Sequence, residues 1–319
     1  MRMAPSLSEP HGWDVDTYEK TTRLLDLLAD IAQHPELGRW LCLKGGTALN
    51  LFVLPVARLS VDIDLNFIGT PDREGMLASR PVVEAALARL CTEHSYKVIL
   101  PLDRWAGGKW NLRYDNVQGE RRRISIDVGY LDRVPLWDFQ LRTCRLPGYE
   151  RLTVNVLDVH ELAGGKLAAL QGRGRARDLF DAASIADLCR HGILNPSRLR
   201  LAFAVQAAMT RTDARTLAPV PVKVDAQEIL DDLNAMLPGR PLTHIAAAHT
   251  LGEELTAAST LALAAVLPLR DRERAFLDRF FDQGDIEPAL LTDDIGLQNR
   301  LALNPALQWQ AYNVRRNQA

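Results

Sequence analysis

The ten residues "RLSVDIDLNF" (58–67) restrict the fold more than any other stretch of the chain. Val61, Ile63, Leu65 and Phe67 alternate with Asp62, Asp64 and Asn66, the period of a strand with one face in a core. Residues two apart on a strand point the same way, so Asp62 and Asp64 share a face with Cα atoms roughly 6.5–7 Å apart. Like charges that close weaken a sheet. A divalent cation would offset them, and Mg²⁺ is commonly bound by one or two carboxylates together with phosphate oxygens and water. A lone D-x-D is more often the solvated side of an amphipathic strand, so the meaning of the pair depends on its surroundings.

A third acid has the same setting. Asp127 lies in "ISIDVGY" between Ile126 and Val128, on the face of Ser125. If its strand neighbours the first, Asp62, Asp64 and Asp127 can meet and hold two metals about 3.5–4 Å apart, an arrangement suited to in-line phosphoryl transfer. Upstream, "KGGTAL" (44–49) supplies a Gly-Gly turn. Gly45 and Gly46 let the backbone approach a ligand closely, and Thr47 opens a helix whose free N–H groups suit a phosphate. Arg58 and Ser60 add a cation and a hydroxyl just before the acidic strand. Neither a Walker loop nor G-x-G-x-x-G is present.

Apolar spacing predicts a helix over 17–33, a short run and Gly-Gly turn in "WLCLKGGTALNLF", and a helix from Thr47. A further helix is expected over 81–94. Strands are expected at 95–100, 109–114 and 122–130, with "WAGG" and "NVQGE" as turns, in a mostly sequential sheet. From about Val159, Leu, Ala, Arg and Asp dominate. Helices are expected over 160–190, 197–210, 224–236, 242–267 and 270–281, joined by connectors at Pro219–Pro221 and Pro238–Pro241. The organisation is therefore α+β over 1–157 and mainly helical over 158–319.

A formal net charge of −2 across 319 residues excludes an overall basic glove for nucleic acid, leaving only local patches for such contacts. Cys42, Cys91, Cys144 and Cys189 are widely spaced, which argues against a zinc ribbon or a disulfide framework. The N-terminal residues have no apolar signal-peptide core. The longest apolar run, 257–269, falls short of the roughly 20 residues a membrane span needs. A cytoplasmic location is expected.

The order of Gly-Gly turn, helix and D-x-D strand resembles the signature of DNA polymerase β-like nucleotidyltransferases. More narrowly, "LKGGTALNLF…RLSVDIDLNF" resembles the AbiEii/AbiGii toxin nucleotidyltransferases, which include the MenT toxins. That resemblance implies a polymerase-β-like α+β core with a helical C-terminal domain. "ELAGGKLAALQGRGRARDLFD" (161–181) is similar to the family's lysine, basic turn and R-D-x-x-D. The resemblance implies that Lys166 contacts the triphosphate and that Asp178 belongs to the active site. Read from the residues alone, the arginines of this segment want an anion nearby, with Arg177 within reach of Asp181 at i+4, or form a solvated basic loop.

The expected chemistry is metal-dependent transfer of NMP from an NTP. Asp62, Asp64 and Asp127 would hold Mg²⁺ or Mn²⁺. Gly45, Gly46, Thr47, Arg58 and Ser60 would cradle phosphates, and Lys166 and Arg177 would neutralise the leaving group. Asp127 would serve as general base if one metal is bound. The resemblance implies a toxin of a toxin–antitoxin pair, with the tRNA 3′ end as acceptor and a cognate antitoxin as partner. Two other readings stay open: modification of a small molecule or protein, and a catalytically silent nucleotide-binding module. Arg121–Arg123 either grip a nucleic-acid backbone or solubilise a hairpin. Trp105 and Trp110 read as core residues in preference to base-stacking platforms, and "HIAAAH" lacks zinc-helix spacing.

Overall fold

Asp14 is the first residue that commits the chain: its carboxylate accepts from the Thr17 N–H at 2.8 Å and caps α1 (Val15–Gln33). The computed structural model describes residues 12–99, 107–239 and 242–318. The expected strand end at Leu100, Trp105 of the "WAGG" turn, and the first eleven residues lie outside the described residues. Leu24, Leu25, Leu27, Leu28 and Ile31 form the buried stripe of α1 that the spacing predicts. After α2 (Leu37–Trp40) come β1 (Leu41–Lys44) and α3 (Gly45–Ala48), which continues as a π-helical stretch to Val53. The helix thus starts at the first glycine, two residues ahead of Thr47.

β2 (Asp62–Phe67) is followed by α4 (Arg73–Glu93). Proline marks position 81 as a helix start by sequence, yet the helix begins eight residues earlier. Asp72 caps it by accepting from Gly75 N–H at 2.6 Å, and Pro81 is carried inside the helix. Proline there removes a single backbone bond, which twenty other helical residues tolerate. β3 (Lys97–Ile99), β4 (Gly107–Asp115) and β5 (Arg121–Gly129) are the three strands expected. Asn116 turns β4 into β5, its side-chain oxygen accepting from Gln118 and Glu120 N–H groups. Two strands go beyond the expectation, β6 (Gln140–Thr143) and β7 (Thr153–Val156). At four residues each they are too short for period-2 alternation to stand out.

The seven strands form one mixed sheet in the order β3-β4-β5-β2-β1-β7-β6, in place of the sequential one expected. β2 pairs with β5 and β1 with β7 in parallel; the other neighbours are antiparallel. Leu43 of β1 and Leu65 of β2 are registered, and with Leu28 and Ile31 of α1 they line a small cavity of about 50 Å³. α1 therefore covers the apolar face, and the acids of β2 point the other way.

The chain divides into two compact units. The first comprises Met1–Leu131, Phe139–Val156 and Asp231–Thr243, and the second Asp132–Asp138, Leu157–Leu230 and His244–Ala319. The second is helical: α5 (Val159–Arg173), α6 (Ala176–Arg190), α7 (Pro196–Thr210), α8 (Ala226–Glu228), α9 (Ile245–Ala264), α10 (Asp271–Gln283), α11 (Ile295–Leu303) and α12 (Pro305–Gln318). The helix expected over 160–190 is two helices, parted at Gly174 in the left-handed region. α5 crosses α7 at Gly164, where a Cβ would lie 2.7 Å from the Phe203 backbone nitrogen. Among the described residues no helix is long and apolar enough to cross a membrane. All four cysteines are free.

A polar cluster ties residues 132–138 to α5. The Glu161 carboxylate, 2 % exposed, accepts from Leu136 N–H at 3.1 Å. Burial first, and repulsion from Asp132 second, push its pKa well above the usual carboxylate range. Nearby Asp158 moves the other way. Its burial would raise its pKa, but hydrogen bonds from the His160 side chain and backbone outweigh that. Glu161 takes up a proton on folding at pH values between the unfolded value of about 4.3 and its raised folded pKa. Its contribution is complete below the unfolded value and is lost as pH rises toward the folded pKa, by at most about 1.4 kcal/mol per pH unit. Asp158 acts with opposite sign and only below about pH 4. Glu161→Gln, which keeps the acceptor oxygen, should therefore flatten the decline in stability between pH 5 and 8. Denaturant midpoints that fall in parallel for wild type and variant would refute this.

Candidate active site

The acids come together through the parallel pairing of β2 and β5. The register sets Asp62 against Ser125 and Asp64 against Asp127. Adjacent registered residues share a face, so all three carboxylates project from the face of the sheet opposite the one α1 packs on. Asp62 and Asp64 are half-buried and Asp127 is exposed. The Ser125 hydroxyl donates to Asp62 Oδ1. The alternate residues Ile63, Leu65, Ile126 and Val128 are at most 1 % exposed, which fixes both strands in the core.

Two lysines flank the pair of acids. Lys44 is registered against Asp64 from β1, and Lys109 against Asp127 from β4. Four neighbouring strands therefore carry the row Lys44, Asp64, Asp127, Lys109. Lys44 Nζ reaches across β2 to within 3.6 Å of where a Cβ on Gly129 would stand. Sequence reasoning missed both lysines. Lys44 directly precedes the Gly-Gly pair, but its relation to Asp64 exists only once β1 and β2 are paired.

Gly45 has φ +72°, and a Cβ there would lie 2.1 Å from Asp64 Oδ2. The missing side chain is thus the space in which the Asp64 carboxylate sits. Gly46 and Thr47 are buried in the first turn of α3. At 1 % exposure the Thr47 hydroxyl donates to the Asp62 carbonyl and shares a hydrogen bond of 2.9 Å with the Ser60 hydroxyl, binding α3 to the start of β2. Ser60 is 7 % exposed, and its carbonyl accepts from the Thr21 hydroxyl. Arg58 is 2 % exposed, and its guanidinium donates to the Leu59 carbonyl at 2.9 Å and lies 3.8 Å from the Met236 sulfur, bracing the interior of its unit.

In the helical unit, Lys166 of α5 and Asp178 and Asp181 of α6 form a second cluster. Lys166 Nζ lies 2.7 Å from Asp181 Oδ2 and 4.0 Å from Asp178 Oδ1. Arg173 grips Asp178 with two hydrogen bonds of 2.7 and 2.8 Å. Both carboxylates are at most 1 % exposed, and each has a cation to satisfy it. Arg177 follows Ala176 in the first turn of α6.

The donor set on the sheet fits a hard divalent cation. All its groups are oxygens, and Asp64 and Asp127 arrive from adjacent rigid strands. Among the described residues no group of three or more His, Cys, Asp or Glu side chains is already gathered as a metal cage. A site built from two carboxylates with the remaining positions left to phosphate and water is the usual Mg²⁺ arrangement.

The chain thus combines a seven-stranded mixed sheet, carrying registered aspartates beside a Gly-Gly helix start, with a mainly helical second unit. The chain matches the sequence model of the family described as "Nucleotidyl transferase AbiEii toxin, Type IV TA system" over residues 26–310, and it belongs to that family. It is accordingly a nucleotidyltransferase toxin of a type IV toxin–antitoxin system, with an NTP as substrate and an antitoxin as partner. Among solved structures it is similar to MenT4, a nucleotidyltransferase toxin of Mycobacterium tuberculosis. That likeness has a TM-score of 0.57 and 20 % identity, and covers 93 % of this chain and 95 % of that one. A search of curated proteins finds no match.

Proposed function

We propose that this chain transfers NMP from an NTP to the 3′ end of tRNA in a Mg²⁺-dependent reaction in the cytoplasm, blocking aminoacylation and so translation. The observation that supports it most is the registration of Asp64 with Asp127 on adjacent parallel strands of an AbiEii-family chain. Asp62, Asp64 and Asp127 would hold the metal, which when bound supplies positive charge to the triphosphate and acidifies the acceptor hydroxyl. The chain's own groups do the rest. Where a single metal is held by Asp62 and Asp64, Asp127, exposed and fixed by β5, would accept the proton of the attacking 3′ hydroxyl. The new bond forms to the α-phosphorus as the bond to the bridging oxygen breaks, and the electron pair leaves with pyrophosphate. Gly45 and Gly46 let backbone approach the phosphates, while Lys166 and Arg177 oppose the charge that builds on the leaving group.

The test is incubation of purified protein with bulk tRNA, Mg²⁺ and each labelled NTP in turn. Label should appear at the tRNA 3′ end with wild type and fall by about 10³-fold with Asp62→Ala, the loss expected when several kcal/mol of charge stabilisation is removed. Absence of metal-dependent transfer to any RNA would overturn the tRNA assignment and leave the family assignment in place.

A further inference from the structure

The polar face of the sheet continues beyond the acids. One row along from Lys109 and Asp127, Asn111 meets Ser125; one row further, Arg113 of β4 meets Arg123 of β5 and Lys97 of β3. Lys97, Arg113 and Arg123 thus stand side by side across three strands, all of them exposed. They have the same parity as Asp127 and therefore share its face. Arg123 is four residues from Asp127, roughly 13 Å at the strand rise.

This row repeats the electrostatic fault of the acidic pair with the sign reversed. Like charges placed directly opposite one another destabilise a sheet. Among the described residues none of the three cationic side chains makes a hydrogen bond or ion pair. One neighbour is compensated. Arg122, on the opposite face, is paired with Asp16 at 2.8 Å and with Glu120. Arg121, at the far end, is registered against Asp115. In a chain with net charge −2, this row gathers unopposed positive charge on the very face that carries the acids.

We propose that Lys97, Arg113 and Arg123 are the track for the phosphodiester backbone of an RNA acceptor whose 3′ hydroxyl is presented at Asp127. This rests on the RNA-acceptor reading above. A triphosphate held at the acids meets the nearer row, where Lys109 stands. Cations roughly 13 Å away match phosphates a few nucleotides back along a polymer. Exposed guanidinium and ammonium groups take such phosphates by charge and hydrogen bonding without reading sequence, and they fix register and orientation.

The experiment measures binding of 5′-labelled bulk tRNA to the full chain without NTP, across a salt series. It compares wild type with Lys97→Ala/Arg113→Ala/Arg123→Ala and with Arg113→Gln alone. The triple variant should bind about tenfold or more weaker near 0.1 M salt, with its log–log salt slope reduced by about 2–3, since each lost phosphate contact removes roughly 0.7–0.9. Arg113→Gln should lose about one third of that slope. Both variants should melt no lower than wild type, because removing a member of a like-charge row relieves repulsion. A triple variant with wild-type affinity and slope, where wild type still labels RNA, would overturn the track and leave the acceptor reading standing. Wild type that neither binds nor labels RNA would overturn both. Row-dependent binding of polyglutamate without binding of RNA would overturn the track and reassign the row to an acidic protein partner.

Discussion

Asp64→Asn should lower nucleotide transfer by about 10³-fold or more, the cost of removing a charge worth several kcal/mol to the transition state, while the protein still folds and melts near the wild-type temperature. The two effects have one cause. Asp64 and Asp127 are registered like charges with Lys44 and Lys109 at the ends of their row, so replacing either exchanges relieved repulsion for lost attraction to a lysine and leaves stability nearly unchanged. The same replacement removes half of the carboxylate pair that would hold the cation. Asp127→Asn should behave similarly, and the double variant should be little worse than either single one, because the two carboxylates act as a unit. Transfer rates and melting curves of all four proteins settle the matter. Wild-type turnover by Asp64→Asn would remove it from the chemistry, and a large loss of stability would mean that it is held by structural bonds.

Gly45→Ala should cost about 1–2 kcal/mol of stability and reduce transfer by about 10²-fold. The stability cost follows from φ +72°, where an L side chain is strained. The larger effect on activity is local. The new Cβ would lie 2.1 Å from Asp64 Oδ2 and 2.9 Å from Asp64 Cγ, so the carboxylate must leave its place. Gly119→Ala separates the two effects. Gly119 has a similar φ of +78° in the β4–β5 turn, with nothing within 4 Å of its Cβ position. It should show the same stability cost and wild-type transfer. Equal activity in the two variants would break the link between the glycine and the acid.

The elements legible in the chain are those whose cause is local. α1 announces itself by a stripe of leucines, β2 and β5 by strict alternation, and the β4–β5 turn by Asn116 and Gly119. The start of α4 is hidden because proline at 81 is a strong local signal, and the cap at Asp72 that overrides it lies a full two turns earlier. The sheet order is hidden because β6 and β7 are short and because β1 bonds to β7 from the far end of the unit. The candidate site divides in the same way. Asp62, Asp64, Asp127, Gly45 and Gly46 are visible as residue types in suitable settings. Arg58 has the right charge and the right neighbours in sequence, but its side chain turns inward to Leu59 and Met236, a contact no local pattern announces.

By itself the sequence determined which faces are apolar, where α1 and the β4–β5 turn fall, and which residue types could carry the chemistry, because side-chain period and capping act over a few residues. Only the tertiary structure decided that β2 and β5 run parallel and in a register that sets Asp64 beside Asp127. The same pairing places Lys44 and Lys109 at the ends of that row and divides the run 121–123, leaving Arg122 paired and Arg123 open. Register is set by which apolar faces share the core across long stretches of chain, and a slip of one residue would have turned every acid inward.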